Sequence, residues 1–503
     1  MKPRQQHAWL SFAIIILGGD QSVVECIVAQ PFSDPCGVGA INAEPCPREW
    51  GREIPAPRRR VVLAACVLAS SMAFIDGSVL AVALPNLRAA FGSDLGTIQW
   101  VMNGYLLALA ALTLIGGAVA DALGRARMLT IGCLMFGAVS AACAVAPSVG
   151  WLIGARVIQG AAAALLTPAS LALIGATYPK DERAGAIGVW AAASALTSAG
   201  GPVVGGWLTG RFGWPAVFWI NPPLAIVAVA LLWLAAPADP TEPRRFDFIG
   251  ATLIALSLGA LTLGLSQIGH GEPPAAGAFS FDAGALAAGV LGLAGLGGYV
   301  AWERVSAHPM TPPRLARNRA FVGLNAATLL IYAGLAIMFF LLPFELEDRR
   351  GLSPASVGLA FLPFSLGVGL LSQFFGRLAD SFGARRMLIV GAACASVAYI
   401  WMALGQSAAL ISGVIAPQAL LGISFAVLVA PLTASVLSSV TSSDQGLASG
   451  INNAISRVAQ LVGVAIAAGV GTLGSGWQWG MFAAAALSAA GALVTALELP
   501  PAR

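Results

Sequence analysis

From Val61 to about residue 497 the chain alternates long apolar runs with short polar breaks. The runs fall near 61–84, 98–120, 128–146, 150–172, 185–209, 215–236, 248–268, 282–302, 321–343, 354–376, 386–405, 408–430, 448–470 and 477–497. At ~1.5 Å per helical residue, a run of about 20 residues crosses a ~30 Å hydrocarbon core, and a helix satisfies every backbone group within one segment. The pattern predicts an all-α integral membrane protein with fourteen spans. Glycine and alanine are frequent inside the runs, where small residues let helices approach closely in lipid.

The polar breaks set the orientation. If the N-terminus is cytoplasmic, seventeen arginines and lysines fall in inside segments and four, Arg88, Arg211, Arg349 and Arg350, in outside loops. Positive charge is retained on the cytoplasmic side, so both termini are expected there, in a multi-pass protein of the bacterial inner membrane. Residues 1–57 do not share the pattern. Ala8–Gly19 is too short to span, and a stretch rich in Pro, Gly and Cys follows it. The readings are a disordered segment, a mis-assigned start, or a secretory signal preceded by Lys2 and Arg4.

Composition narrows the class. Of 503 residues, 58% are hydrophobic and only 10% charged, against about half and a quarter in soluble chains. The net charge of +4 is dispersed among loops and forms no basic block, which argues against a nucleic-acid partner. His7, His270 and His308 all lie outside the spans, so neither a histidine proton relay nor a metal cluster is expected in the membrane. No phosphate-binding loop of the G-x-x-x-x-G-K-S/T kind occurs, so ATP is not the expected energy source, and no cofactor is expected. Cys66, Cys133, Cys143 and Cys394 lie in apolar spans and read as small hydrophobes. A membrane enzyme would need polar residues clustered near one face, and none are found.

Charge inside the spans is rare. Asp76 is the one acid well inside a run, and Arg156 and Arg457 also fall within runs. A charged Asp near a bilayer centre costs roughly 2.5–3.5 kcal/mol, which marks it as a functional candidate. Asp76 lies ~22 Å from the cytoplasmic end of its helix, and Arg156 enters from the other side to ~21 Å from that face. Opposite charges at one depth are expected within hydrogen-bonding or water-bridged reach.

The chain also repeats itself. Gly117-Ala-Val-Ala-Asp121-Ala-Leu-Gly124-Arg-Ala-Arg127 recurs as Gly376-Arg-Leu-Ala-Asp380-Ser-Phe-Gly383-Ala-Arg-Arg386. Both copies follow an outside-to-inside helix, so the repeats are parallel, with two extra helices between them. The expected division is an N-terminal segment 1–57, a six-helix bundle 58–240, two additional helices in 241–305 and a second six-helix bundle 306–503.

These residues carry a resemblance. From about Val61 to Leu497 the chain resembles the fourteen-spanner drug:proton antiporters of the major facilitator superfamily. Gly117, Asp121, Gly124 and Arg125 match that superfamily's loop motif, G-x-L-A-D-R-x-G-R-K, while Ala122 and Ala126 replace its usual basic residues. The stretch Phe74-Ile-Asp76-Gly-Ser78-Val-Leu-Ala81 is similar to the first-helix motif, with Ser78 and Ala81 for its Thr and Asn. Arg156-Val-Ile-Gln159-Gly160 resembles the fourth-helix motif R-x-x-Q-G. Gly188, Gly201-Pro202 and Gly205-Gly206 match the fifth-helix antiporter motif, with Thr197 where another glycine is usual. Phe218-Trp-Ile-Asn221-Pro222 and the loop ending Asp247-Phe-Ile-Gly250 look like the family too.

The resemblance implies the major facilitator fold and a proton-coupled antiporter that exports hydrophobic or amphipathic small molecules. It assigns proton coupling to Asp76 and Arg156. Gating falls to Gly117, Asp121, Gly124, Arg125, Asp380, Gly383 and Arg386, and the export signature to Gly188, Gly201, Pro202, Gly205 and Gly206. Trp100, Asn103, Tyr105, Gln159, Gln418 and Asn452 are candidates for the substrate cavity. The implied partners are the small-molecule substrate, protons and the bilayer, with a periplasmic adaptor protein as a further candidate. Alternatives are a dedicated exporter of one metabolite, such as a siderophore or antibiotic, and a non-transporting sensor on the same fold.

Overall fold

The apolar runs are helices. The computed structural model describes residues 55–236, 247–266, 283–306, 313–441, 445–471 and 475–499. Residues 1–54 lie outside them, and with them nearly all of the segment 1–57. The first six helices are α1 (Ala56–Phe91), α2 (Leu95–Leu123), α3 (Arg125–Ala144), α4 (Val149–Thr177), α5 (Lys180–Phe212) and α6 (Ala216–Trp219 continuing as Asn221–Ala235). Next come α7 (Phe248–Ser266) and α8 (Ala283–Val305). The rest are α9 (Arg319–Phe344), α10 (Pro354–Ala360 continuing as Leu362–Phe382), α11 (Ala384–Leu404), α12 (Ala416–Ser438), α13 (Gln445–Gly471) and α14 (Gly476–Glu498).

Among the described residues, thirteen helices are long and apolar enough to cross a membrane, and Thr252–Leu265 within α7 is a shorter apolar helix. The expected fourteen is therefore met to within that one segment. Large apolar side chains such as Leu196, Trp233, Leu256 and Leu291 point outward, while Gln159, Asn221 and Arg156 are buried inside. A soluble protein hides its large apolar side chains, so this inversion is the mark of lipid as solvent.

Packing repeats with an offset of eight helices. In the first half α2 packs on α4, α1 on α5 and α6, and α3 on α4 and α6. In the second, α10 packs on α12, α9 on α13 and α14, and α11 on α12 and α14. The halves meet through α5 on α10 and α2 on α13, which exchange under the same offset. The sequence repeat has the same symmetry. Gly124 and Gly383 adopt φ of 102° and 85°, and each both ends one helix and begins the next. A residue with a Cβ is disfavoured at such φ values, so glycine makes these two tight corners.

Helices α7 and α8 stand outside this symmetry. They pack on each other, and α7 also leans on α2 and α13. Asp247 fastens the pair, accepting from Gly250 N at 2.8 Å and from Trp302 Nε1 at 2.9 Å. It thereby satisfies an orphan donor at the start of α7 and anchors the end of α8.

Candidate functional site

Asp76 sits midway along α1 and is 3% exposed. Arg156 of α4 is 1% exposed and donates from its guanidinium to Asp76 Oδ2 at 2.5 Å. The other carboxylate oxygen accepts from Gln159 Nε2 at 3.1 Å and from Asn221 Nδ2 at 3.2 Å. Arg156 and Gln159 lie three residues apart on α4, and so share a face. The same guanidinium donates to Gln159 Oε1 at 2.7 Å, and its Nε donates to the Val101 carbonyl of α2 at 3.0 Å.

An aromatic floor supports the pair. The guanidinium lies 4.2 Å from the centre of the Tyr105 ring, whose hydroxyl donates to the Ala73 carbonyl of α1 at 3.1 Å. Asn221 also donates to Ser140 Oγ, which in turn donates to the Phe218 carbonyl at 2.8 Å. One network thus ties α1, α2, α3, α4 and α6 together in the interior of the first half. A buried ion pair repays its desolvation only when such hydrogen bonds complete it.

A cavity of about 130 Å³ opens between the halves beside this network. Its walls come from α1, α2, α4, α5, α9 and α13, and include Phe74, Ser78, Tyr105, Arg156, Tyr332, Phe339 and Arg457. Asp76 is not on the wall; Arg156 stands between it and the cavity. The halves are joined past one end of the cavity. There Asn86 Nδ2 donates to Glu347 Oε2 at 2.8 Å, and Arg88 pairs with Asp348 at 3.1 Å.

The glycines of α5 divide by position. A Cβ at Gly201 would strike the Ser78 side chain, and one at Gly205 would lie 2.5 Å from the Val79 carbonyl oxygen, so this stretch seats α5 on α1. A Cβ at Gly206 would lie 2.9 Å from Gly358 Cα on α10, and one at Gly358 would lie 2.5 Å from the Pro202 carbonyl oxygen. Gly206 and Gly358 therefore make the α5–α10 contact between the halves. Gly188 is exposed, and a Cβ built there would have nothing within 4 Å, so it seats no neighbouring helix.

In the repeated loops, Gly117 faces Pro168 of α4, and Gly376 faces Ala430 of α12, with a built Cβ at 3.3 Å and 3.2 Å. Arg386 is exposed. The side chains of Asp121 and Asp380 lie outside the described residues, and Arg125 is partnered.

Of the six cavity candidates, Tyr105 lines the cavity. Gln159 belongs to the ion-pair network instead. Asn103 is buried with both amide atoms unbonded, as is Gln99 one turn before it. Gln418 is buried and donates to Met338 Sδ, and Asn452 donates to Asn325 and Thr328 at 3.0 Å. Trp100 is partly buried and off the cavity wall. Polar residues in a helix bundle serve helix packing as readily as a cavity, and sequence does not show which way they face. Two residues without an assigned role belong to this region, Asn221 in the network and Arg457 on the cavity wall. Asn221 was signalled by an Asn-Pro step opening an apolar run, and Arg457 by its unbalanced charge.

A parallel-repeat helical bundle with a cavity between its halves and a buried ion pair beside it is a polytopic membrane transporter. The Major Facilitator Superfamily model matches residues 66–342 and 324–503, and the chain belongs to that superfamily. It is 33% identical over 411 residues to a lincomycin resistance protein of Streptomyces lincolnensis, covering 80% of this chain and 83% of that one. It is 34% identical over 426 residues to a cephamycin export protein of Amycolatopsis lactamdurans, covering 82% and 86%. A multidrug resistance protein of Mycobacterium tuberculosis is 31% identical over 412 residues, 81% of this chain and 74% of that one. Among solved structures, an auto-inhibited peptide transporter of the POT family superposes with a TM-score of 0.65 at 17% identity, covering 89% of this chain and 97% of that one. That likeness is one of fold.

Proposed function

We propose that the protein is a proton-coupled antiporter that exports amphipathic small molecules across the bacterial inner membrane, with both termini cytoplasmic. The observation that carries the reading is the Asp76–Arg156 pair, buried inside the helix bundle beside a cavity between the two halves. Such a pair has two states. Ionised Asp76 holds Arg156; a proton on Asp76 removes the charge that holds it, and Arg156 is free to move on the cavity wall. The two bundles, 58–240 and 306–503, rock about the cavity, and 241–305 supplies the extra pair of helices.

Energy supports the scheme. One charge crossing 100 mV is worth roughly 2.3 kcal/mol, enough for about a fifty-fold gradient of a neutral substrate at ~1.4 kcal/mol per decade. The partners are protons, one small-molecule substrate per cycle and, in an envelope with two membranes, a periplasmic adaptor protein. A second reading, export of one dedicated antibiotic, draws support from relatives named for lincomycin, actinorhodin and cephamycin. The test is efflux of a panel of amphipathic dyes from proteoliposomes under an imposed proton gradient, with and without an uncoupler. Dye movement that ignores the uncoupler would refute proton coupling, and movement of a single compound from the panel would favour the second reading.

A further inference from the structure

Arg457 lies on α13, in the half opposite the Asp76–Arg156 pair, and faces the same cavity. Among the described residues it makes no ion pair or hydrogen bond. Its guanidinium lies over the face of Phe74 on α1, 5.2 Å from the ring centre. A guanidinium inside a membrane protein ordinarily finds a carboxylate or carbonyl partner, so an unpaired one on a cavity wall awaits an anion supplied by something else.

The rest of the wall agrees. Its charged residues are Arg156 and Arg457, and no aspartate or glutamate lines it. The one acid nearby, Asp76, is buried behind Arg156 and already accepts three hydrogen bonds. A cation entering the cavity would meet two guanidinium groups with no exposed carboxylate to offset them. An anion would meet one free guanidinium, with Phe74, Tyr332 and Phe339 as apolar walls for a ring system. Desolvated charge pairs of this kind govern selection, because the wrong sign of charge leaves a buried group unpaired.

We propose that the transported compounds are amphipathic organic anions, with a carboxylate, sulfonate or phenolate group held by Arg457 and an aromatic or alicyclic body held by the aromatic wall. This rests on the export reading and names the substrate class of that same cavity. Arg457 is then the specificity-determining residue of the second half, as Arg156 is the coupling residue of the first. A guanidinium can place two donors on a carboxylate, and lysine retains the charge with a single point of contact.

The test uses the full-length protein in lipid nanodiscs and two dyes with the same xanthene core, fluorescein as the anion and rhodamine 6G as the cation. Fluorescence anisotropy is expected to show fluorescein bound at least tenfold more tightly than rhodamine 6G. Arg457→Gln should weaken fluorescein at least tenfold and leave rhodamine 6G within about twofold, and Arg457→Lys should recover most of the loss. A purely structural role for Arg457, as a clasp on Phe74, would depress both dyes alike and overturn the assignment. So would tighter binding of rhodamine 6G, or fluorescein binding unchanged in Arg457→Gln. Proton-driven efflux of both dyes from proteoliposomes separates the failures. Efflux of rhodamine 6G alone would overturn the anion assignment and leave export standing, whereas proton-driven movement of neither dye would count against both.

Discussion

Asn86 Nδ2 donates to Glu347 Oε2 at 2.8 Å, joining two residues 261 positions apart and linking the two halves of the bundle. Arg88, two residues on, pairs with Asp348 beside it. Both contacts lie between the end of α1 and the segment following α9, beyond the cavity, and under the proposed orientation this is the outer end. Exposed pairs such as Arg88–Asp348 contribute little, roughly 0.2–1 kcal/mol, so the latch is weak enough to open in each cycle. Replacing Asn86 and Arg88 together by Ala should raise the labelling rate of an Ala81→Cys variant by an impermeant maleimide applied from that side several-fold. An unchanged rate would mean that apolar packing alone closes this end.

Asp76→Asn should keep the fold, since the Asn oxygen still accepts from Gln159 and Asn221 and Arg156 keeps its bonds to Gln159 and the Val101 carbonyl, yet abolish uphill efflux. The measurement is proton-gradient-driven transport in proteoliposomes beside the wild type. Pumping at near wild-type rate would remove Asp76 as the proton carrier and point to Glu345 or Glu347 at the end of α9.

Arg156→Ala should destabilise strongly, by roughly 3–5 kcal/mol, because it leaves a buried carboxylate without its counter-charge. Asp76→Asn combined with Arg156→Gln should lose less than that single change, because no charge is stranded. Thermal unfolding in one detergent compares the three proteins. A double variant that melts below the single one would show that the pair is not the unit of stability.

The glycines of α5 make an internal control. Gly206→Val should reduce efflux at least tenfold at equal protein level, because its Cβ would meet Gly358 on α10 and hold the halves apart. Gly188→Val should leave efflux within about twofold, as a Cβ there would meet nothing within 4 Å. Equal losses in both variants would mean that the motif acts through helix flexibility and not through contact.

Topology is tested by reporter fusions after Gly271 and after Pro501. The first is expected outside and the second inside; any other pairing would reverse the orientation or change the number of spans.

Much of this was legible from the chain alone, for a physical reason. The bilayer imposes one length and one polarity on every span, so helix number and the rarity of buried charge are local properties that a linear reading recovers. The meeting of Asp76 and Arg156 followed from counting residues at a fixed rise, and the repeated Gly-Asp-Gly loop carries the parallel symmetry that the packing repeats. Helix α7 is where counting was least secure, because its apolar stretch is short. What only the tertiary structure decided is rotation about each helix axis. Lipid offers no hydrophobic penalty that would stamp an amphipathic period on the sequence, so nothing along the chain showed that Asp76 lies behind Arg156. Nor did it show that Gln418 and Asn452 serve packing, that Gly188 faces outward while Gly206 meets Gly358, or that Arg457 comes to rest against Phe74 on the far wall of the cavity.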